Sequence, residues 1–324
     1  MDRAGVRGHP LGVLRVLGAA LLALAGAGAA SAAGPAPAAL EVREIARGVF
    51  VHQGRPLPLD APGHQDIANI GFIVGARCVA VIDTGGSVSV GRLLHAAVRA
   101  HTSLPVCYVI DTHVHVDHVL GNFAFAADAP QFAGHERLGA ALARSREFFL
   151  ATYAADLEPP AGAAQIVAPQ LTVPTGTDVE VDLGGRRLRL HAWPPAHTDC
   201  DLTVLDEATH TLWTGDLVFV GRTPALDGSL RGWLAALDAL GRTAGVHHVV
   251  PGHGAPGDDL AGAIAPEREY LASLLTQVRA QIAAGHTEQE ALRQMQFPRR
   301  DRWLLWDEVH PRNVSRAYRE LEWE

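Results

Sequence analysis

Apolar residues in the first half of the chain follow strand-like and helix-like patterns in turn. Short β-branched runs at 70–74, 78–82 and 106–110 predict buried strands, and the looser alternation at 42–52 predicts an earlier one. Residues 87–100 place apolar side chains at helical spacing. A strand, helix, strand order of this length is typical of a βαβ unit in an α/β protein.

The second half also places strands before helices. Residues 179–183 and 188–192 flank Gly184-Gly185, and this arrangement predicts a hairpin because glycine reaches the positive φ angles of tight turns. Further strands are predicted at 202–205, 211–213 and 249–250, and helices at 135–157, 230–240 and along the apolar face of Leu271, Leu274, Leu275, Val278 and Ile282. Two sets of strands, each followed by helices, favour a sheet-on-sheet core with helices outside.

A stretch rich in Pro, Gly and His, residues 53–66, interrupts the early strands. It is too irregular for a helix or strand, so we predict a loop that acts as a substrate lid.

Charge and composition exclude several functions. The 324 residues carry 27 basic side chains against 35 acidic ones, and no basic run occurs, so nucleic acid is not expected as a partner. No lysine is present, which excludes Schiff-base and Ser/Lys mechanisms.

The N-terminus has the pattern of an export signal. Arg3, Arg7 and Arg15 precede the apolar run 16–30, and Ala30-Ser31-Ala32 fits a cleavage site. We predict a signal peptide at 1–32, a linker at 33–39, and a periplasmic or secreted protein without a stable membrane span. The alternative is a membrane anchor, but the run is shorter than the roughly 20 residues that span a bilayer. Export would permit one disulfide among Cys78, Cys107 and Cys200, and the pairing stays open.

The densest chemistry is the run HVHVDH at 113–118. In an extended segment His113 and His115 point to the same side, so both can bind one ion, while Asp117 and His118 turn to a second. Imidazole with carboxylate ligands favours zinc. Further ligands are expected where later strands end, namely His197, Asp216 and His253.

Together, HVHVDH, AHTDCD, LWTGDL and PGHG resemble the motifs of the metallo-β-lactamase superfamily. The resemblance covers roughly residues 40–260 and implies a four-layer αββα sandwich, with 261–324 as a helical extension packed on it. It also implies two Zn²⁺ ions per chain. His113, His115 and His197 would bind the first ion, Asp117, His118 and His253 the second, and Asp216 would bridge them.

Asp216 distinguishes among subgroups of the superfamily. A bridging aspartate is similar to the sites of glyoxalase II-like ester and thioester hydrolases, whereas zinc β-lactamases typically carry Cys or Ser near this point. The segments HQGRPLPLDAPGHQDIANIGFIVG and LVFVGRTPALDGSLRGW resemble the zinc metallohydrolases associated with quinoprotein relay systems. That resemblance implies a partner protein in a quinoprotein pathway.

The resemblance implies a hydrolase that uses a metal-bridging hydroxide on an ester, thioester, lactone or amide of a small molecule. Asp117 and Asp216 are its expected catalytic residues. Asp83 is either an acceptor for the second ring nitrogen of a ligand histidine or a turn cap. Cys200 is not expected as a ligand, because Asp216 takes the bridging place.

Two other functions stay open at this stage. One is a periplasmic metallo-β-lactamase, and the other is a non-catalytic module that binds a metal or a partner. His64, His191, His247 and His248 are assigned to the surface or to the fold, not to the metal site.

Overall fold

The structure is a computed structural model that describes residues 40–324. The N-terminal part of these residues forms the first sheet. The predicted signal peptide and linker lie outside these residues. The sheet has seven strands in chain order, antiparallel from β1 to β4 and parallel from β4 to β7. Its strands are β1 (Arg43–Ala46), β2 (Val49–His52), β3 (Ile70–Val74), β4 (Val79–Ile82), β5 (Val106–Ile110), β6 (Gln131–His135) and β7 (Leu171–Val173).

The second sheet has five strands in the order β12-β11-β10-β9-β8. They are β8 (Asp178–Asp182), β9 (Arg187–Ala192), β10 (Leu202–Asp206), β11 (Thr211–Phe219) and β12 (His248–His253). Only β11 and β12 pair in parallel. The predicted hairpin joins β8 to β9, and Gly184 and Gly185 adopt φ angles of 97° and 77° at its turn.

Between residues 40 and 324, seven α-helices accompany the sheets: α1 (Val88–His101), α2 (Val116–Val119), α3 (Leu138–Thr152), α4 (Leu230–Leu240), α5 (Leu260–Ala283), α6 (Glu288–Gln294) and α7 (Trp306–Leu321). Serine caps fix two of their starts. Ser87 Oγ accepts from Val90 N at the start of α1, and Ser229 Oγ accepts from Gly232 N at the start of α4.

Buried side chains pack between the two sheets and between each sheet and the helices on its outer face. Ile82 and Ile110 of the first sheet meet Leu190 and Trp213 of the second between the sheets. Helix α1 covers the outer face of the first sheet, and α4, α5 and α7 cover that of the second. The predicted αββα sandwich is confirmed, because each sheet buries both faces.

The helices after residue 260 pack in the same apolar cluster as the second sheet. Leu271 and Leu274 of α5 and Val314 of α7 contact the group that includes Trp233 of α4. In residues 40–324 no helix combines the length and the apolar character needed to cross a bilayer.

Three sequence expectations differ from the structure. The segment predicted as a helix from 135 to 157 begins with the last residue of β6, and α3 covers only its centre. The strand expected at 211–213 continues to Phe219 through Gly215, whose φ is 51°. Residues 112–115 bend and lead into the short helix α2, so the 113–118 run is not extended.

Two of the three cysteines form a disulfide. Cys78 immediately precedes β4 and Cys107 lies in β5, with 5.7 Å between their Cα atoms. Cys200 is a free, buried thiol. The bridge joins neighbouring parallel strands near their N-terminal ends, whereas the metal-ligand candidates follow the C-terminal end of β5.

Candidate metal centre

The predicted ligands come from five places in the chain that converge at one end of the sandwich. His113 and His115 follow β5, Asp117 and His118 lie in α2, and His197 lies between β9 and β10. Asp216 and His253 belong to β11 and β12. All seven candidates are therefore brought together by both sheets.

The first of two ligand groups contains three histidines and Asp216. One donor atom from each of His113, His115, His197 and Asp216 lies within 4.8 Å of the others. His115 presents Nδ1, which lies 3.0 Å from Nε2 of His197. Although the backbone here is bent instead of extended, the two histidines of the motif still converge as predicted.

The second group contains Asp117, His118 and His253, whose donor atoms satisfy the same 4.8 Å limit. Oδ2 of Asp117 lies 3.4 Å from Nε2 of His253 and 3.7 Å from Nε2 of His118. The ring of Phe219 stacks on His253 with 5.1 Å between centroids, which restricts the orientation of this ligand.

Asp216 lies between the two groups. Its Oδ2 is 3.4 Å from Nε2 of His197 in the first group and 3.3 Å from Nε2 of His253 in the second. Its Oδ1 is 3.2 Å from Nε2 of His118. A carboxylate with oxygens facing both groups has the geometry expected of a bridging ligand.

Several of these donor atoms are buried without a hydrogen-bond partner. They are Nε2 of His113, Nε2 of His118 and Oδ1 of Asp216. Leaving such atoms unpaired costs on the order of 1–3 kcal/mol each, so a protein retains them where another group satisfies them. Imidazole nitrogens and carboxylate oxygens in two compact groups fit divalent metal ions.

The second ring nitrogens of the ligand histidines are also held. Nδ1 of His197 donates to the carbonyl oxygen of Ala225 at 2.6 Å, and Nδ1 of His253 donates to that of Ile67 at 2.8 Å. Each of these bonds fixes the tautomer that leaves Nε2 free for a metal.

Asp83 is the acceptor for His118. Its Oδ2 lies 2.7 Å from Nδ1 of His118 and also accepts from the hydroxyl of Thr112, while Oδ1 accepts from the Thr112 backbone N–H. Thr112 Oγ1 in turn lies 3.1 Å from Nδ1 of His113. Asp83 thus hydrogen-bonds directly to His118 and, through Thr112, supports His113. Of the two predicted roles, the structure shows that of an acceptor for a histidine ring nitrogen.

Asp227 takes the equivalent place for His115, although it was not among the residues predicted from the sequence. Its Oδ2 lies 3.0 Å from Nε2 of His115, and the hydrogen bond from that ring lowers the pKa of Asp227. An aspartate eleven residues after Asp216 in a loop carries no sequence signal of this contact, because only the fold brings it to His115.

Burial sets the charge state of two ligands. It lowers the pKa of His113 well below its ordinary value and that of His197 to about 4, which keeps both rings in the neutral, metal-binding form. Burial acts in the same direction on His118, but the carboxylates of Asp216 and Asp83 outweigh it and raise its pKa. Metal binding there requires the loss of that proton.

A cavity of about 350 Å³ opens onto both groups. Its inner end reaches Asp117, Asp216 and His253, and its mouth carries the exposed apolar side chains of Leu59 and Phe148. Leu59 belongs to the irregular 53–66 loop, which places that loop at the cavity, although its action as a lid stays a prediction. The remaining lining comes from α3, from the loop after β11 and from α7, and includes Tyr153, Arg222, Thr223, Val309, Arg312 and Asn313.

The residues set aside by the sequence analysis lie outside both groups. Nε2 of His64 donates to Asp156, His191 contacts Asp178, and His248 contacts Asp258. Cys200 is buried beside Thr198 and is not a member of either ligand group.

A four-layer sandwich with two His/Asp groups at the base of an open cavity is the architecture of a metal-dependent hydrolase. The chain belongs to the metallo-beta-lactamase superfamily, whose sequence model matches residues 65–276.

Known relatives agree with this assignment. The chain is 31% identical over 185 residues to acyl-coenzyme A thioesterase MBLAC2 of Bos taurus, an alignment that covers 52% of this chain and 61% of that relative. A metallo-beta-lactamase from Pontibacter korlensis superposes on 72% of this chain and 99% of its own, with a TM-score of 0.57 and 21% identity. The sec-alkylsulfatase Pisa1 from Pseudomonas sp. covers 87% of this chain and 50% of its own, with a TM-score of 0.65 and 18% identity. At such identities the two solved structures show the fold alone.

Proposed function

We propose that the protein is an exported hydrolase that uses two zinc ions to cleave a carboxylic ester or thioester of a small molecule. The observation that carries the proposal is the position of Asp216, whose carboxylate lies near His197 of the first group and His118 and His253 of the second, where several buried donor atoms lack partners. The thioesterase named above supports a thioester among the candidate bonds.

His113, His115 and His197 would hold one ion, and Asp117, His118 and His253 the other, with Asp216 shared. Such ions, when bound, lower the pKa of a water molecule to about 7 and polarise a carbonyl oxygen. The reaction consumes one water and releases a carboxylic acid together with an alcohol or a thiol.

The chain itself supplies orientation. Asp117 lines the cavity and is held beside His118 and His253, so its carboxylate can accept a hydrogen bond from the attacking water and fix its direction. The histidines that bind through Nε2 keep their tautomers through Ala225, Ile67 and Asp83. A site fixed in this way needs little rearrangement at the moment of reaction.

Export and a quinoprotein connection are parts of the same proposal. The signal-like sequence at 1–32 supports export, and the Cys78–Cys107 bridge suits an oxidising compartment. The quinoprotein link rests on the two sequence segments that resemble that group of metallohydrolases. Release of the mature protein into a periplasmic fraction, followed by N-terminal sequencing, tests the export step.

The decisive experiment combines metal counting with turnover. Protein purified without chelator is analysed for metal per chain and assayed on thioester, lactone, phosphodiester and β-lactam substrates. We expect about two zinc ions and turnover of the ester-like substrates. Asp216→Ala should lose metal and activity together, whereas His191→Ala, on the surface away from the site, serves as the matched control. Full activity of Asp216→Ala would refute a shared ligand, and preferred turnover of a β-lactam would reassign the substrate.

A further inference from the structure

Arg222 is a buried cation in the cavity wall for which residues 40–324 provide no salt-bridge partner. Its side chain is 9% exposed, lines the cavity, and has one hydrogen bond, from Nη1 to the carbonyl oxygen of Leu57 at 2.9 Å. A guanidinium offers five N–H donors, so most of its hydrogen-bonding capacity faces the cavity without a protein acceptor.

The acidic ligands do not account for this charge. Asp117 and Asp216 act on Arg222 electrostatically, but neither forms an ion pair with it. In the proposed metal-loaded site the metal ions already balance the negative charges of Asp117 and Asp216. The positive charge of Arg222 is therefore not needed to neutralise these carboxylates. No Arg222 nitrogen is among the fully buried atoms without a partner, so the free N–H groups face the open cavity, where an anion carried by a substrate can reach them.

Arg222 is held rigidly by the segment that leads into α7. Leu304 N donates to Gly221 O, Thr223 N donates to Leu304 O at 3.0 Å, and the Thr223 hydroxyl donates to the same oxygen at 2.8 Å. The backbone on both sides of Arg222 is thus tied to one residue. The fixed backbone and the bond from Nη1 to Leu57 O together limit the positions of the guanidinium, whose planar fork suits bidentate recognition of an anion.

Helix α7 contributes a second cation and completes the wall. Arg312 lines the same cavity and forms no salt bridge within residues 40–324. The neighbouring Asn313 accepts from Leu226 N at 2.9 Å and donates to Pro224 O at 2.6 Å, so α7 also fixes the loop that follows Arg222. This helix lies after residue 276, where the match to the superfamily model ends.

We propose that Arg222 and Arg312 form a subsite for an anionic group, a carboxylate or a phosphate, carried by the substrate at a distance from the scissile carbonyl. The exposed apolar side chains of Leu59 and Phe148, which line the same cavity, receive the apolar part. The substrate class is therefore an amphipathic, anionic ester or thioester. This inference rests on the proposed function for the bond that is cleaved, but not for the binding of the anion.

Binding to the metal-loaded protein tests the subsite independently of turnover. Calorimetry compares 3-benzoylpropionate with its uncharged carboxamide, and 2-benzoylethyl phosphate tests the phosphate form. We expect the anions to bind about tenfold to hundredfold more tightly than the carboxamide, as charge-assisted hydrogen bonds require. The tighter of the two anions identifies the chemistry of the natural group. Equal affinity for carboxylate, phosphate and carboxamide would overturn the proposal.

Variants then locate the effect. Arg222→Gln should reduce the anion-to-carboxamide preference at least about fivefold and Arg312→Gln less, because Arg312 is exposed and screened. The preference of Arg293→Gln, on the exposed side of α6, should equal that of the unmodified protein. Arg222→Lys keeps the charge without the planar fork and should retain part of the preference. An unchanged preference in folded Arg222→Gln contradicts the assignment.

Turnover separates this inference from the proposed function. S-benzoylthioglycolate and its carboxamide counterpart differ only in the charge, so kcat/KM should favour the anion. If neither thioester is hydrolysed but the binding preference persists, the proposed bond is wrong and the subsite stands. If both are hydrolysed and bound equally well, the hydrolase stands and the subsite is wrong.

Discussion

Gly252 lies directly against Asp216, so closely that a Cβ atom on Gly252 would stand 1.9 Å from Oδ1 of the aspartate. The Asp216 carboxylate therefore occupies a space that exists only because residue 252 has no side chain. The backbone of Gly252 does not adopt a positive φ, so the glycine is required for room and not for conformation.

Gly252→Ala should consequently displace both the Asp216 side chain and the Gly215–Asp216 backbone, since its Cβ would stand 2.7 Å from Gly215 C and 2.8 Å from Asp216 N. We expect metal content to fall by about one ion or more per chain and turnover to fall at least about 100-fold, since even the loss of an outer partner of a metal ligand costs 10–100-fold. Metal analysis and near-UV circular dichroism measure the two effects separately. Gly257→Ala, where a Cβ would meet nothing within 4 Å, is the matched control. Two tightly bound ions in Gly252→Ala would show that Asp216 is not a shared ligand.

Asp83→Asn tests whether the hydrogen bond between Asp83 and His118 contributes to metal binding. Asparagine tolerates the positive φ of 53° at this position, so the change removes charge and one acceptor while the turn is retained. His118 loses the acceptor at 2.7 Å from Nδ1, and metal affinity should fall by about 10–100-fold. Competition with a chelator measures the affinity, with the exposed Asp301→Asn as control. Equal affinities would assign Asp83 to the turn alone.

The disulfide should stabilise the fold without contributing to the site. Cys78 and Cys107 close a loop with a sequence separation of 29, for which chain entropy predicts a contribution of about 3–4 kcal/mol. The double variant Cys78→Ala/Cys107→Ala should therefore unfold at lower denaturant but keep its metal content. Cys200→Ala provides a comparison in which no bridge is removed. Loss of metal from the folded double variant would contradict the separation of the two regions.

His310 should make stability sensitive to acid. Burial lowers its pKa to about 4, and its Nδ1 accepts from the hydroxyl of Tyr270 at 2.9 Å. The unfolded chain binds a proton near pH 6.5 and the folded chain does not, so stability should fall as the pH drops from about 6.5 to 4 and level off below. The expected loss is up to roughly 3 kcal/mol. Denaturation of His310→Gln over this pH range should show a shallower dependence than that of the unmodified protein, and parallel curves would exclude His310 as the source.

The order of the elements and the ligand set were largely predictable because their signals are local. β3, β5 and α4 have the predicted bounds, since each is a compact apolar run with clear turn residues or caps at its ends. The seven candidate ligands also stand in motifs that can be read one at a time.

What the sequence did not reveal depends on distant parts of the chain. β6 contains Ala and Gly and lacks a strong β pattern, and it becomes a strand because β5 and β7 pair with it on both sides. Arg222 stands within a segment already singled out, yet its missing partner is a property of the fold. Asp227 and Asn313 likewise act through contacts with His115 and with the loop around Leu226.

The position of α7 has an evolutionary consequence. The residues that would hold the metals end at His253, while Val309, Arg312 and Asn313 shape the cavity from the last helix. Part of the cavity wall is thus encoded after the last candidate ligand, while Arg222, Leu59 and Phe148 stand before it. Duplicated copies of this protein could therefore change the shape of the cavity through substitutions in α7 while the candidate metal ligands stay the same.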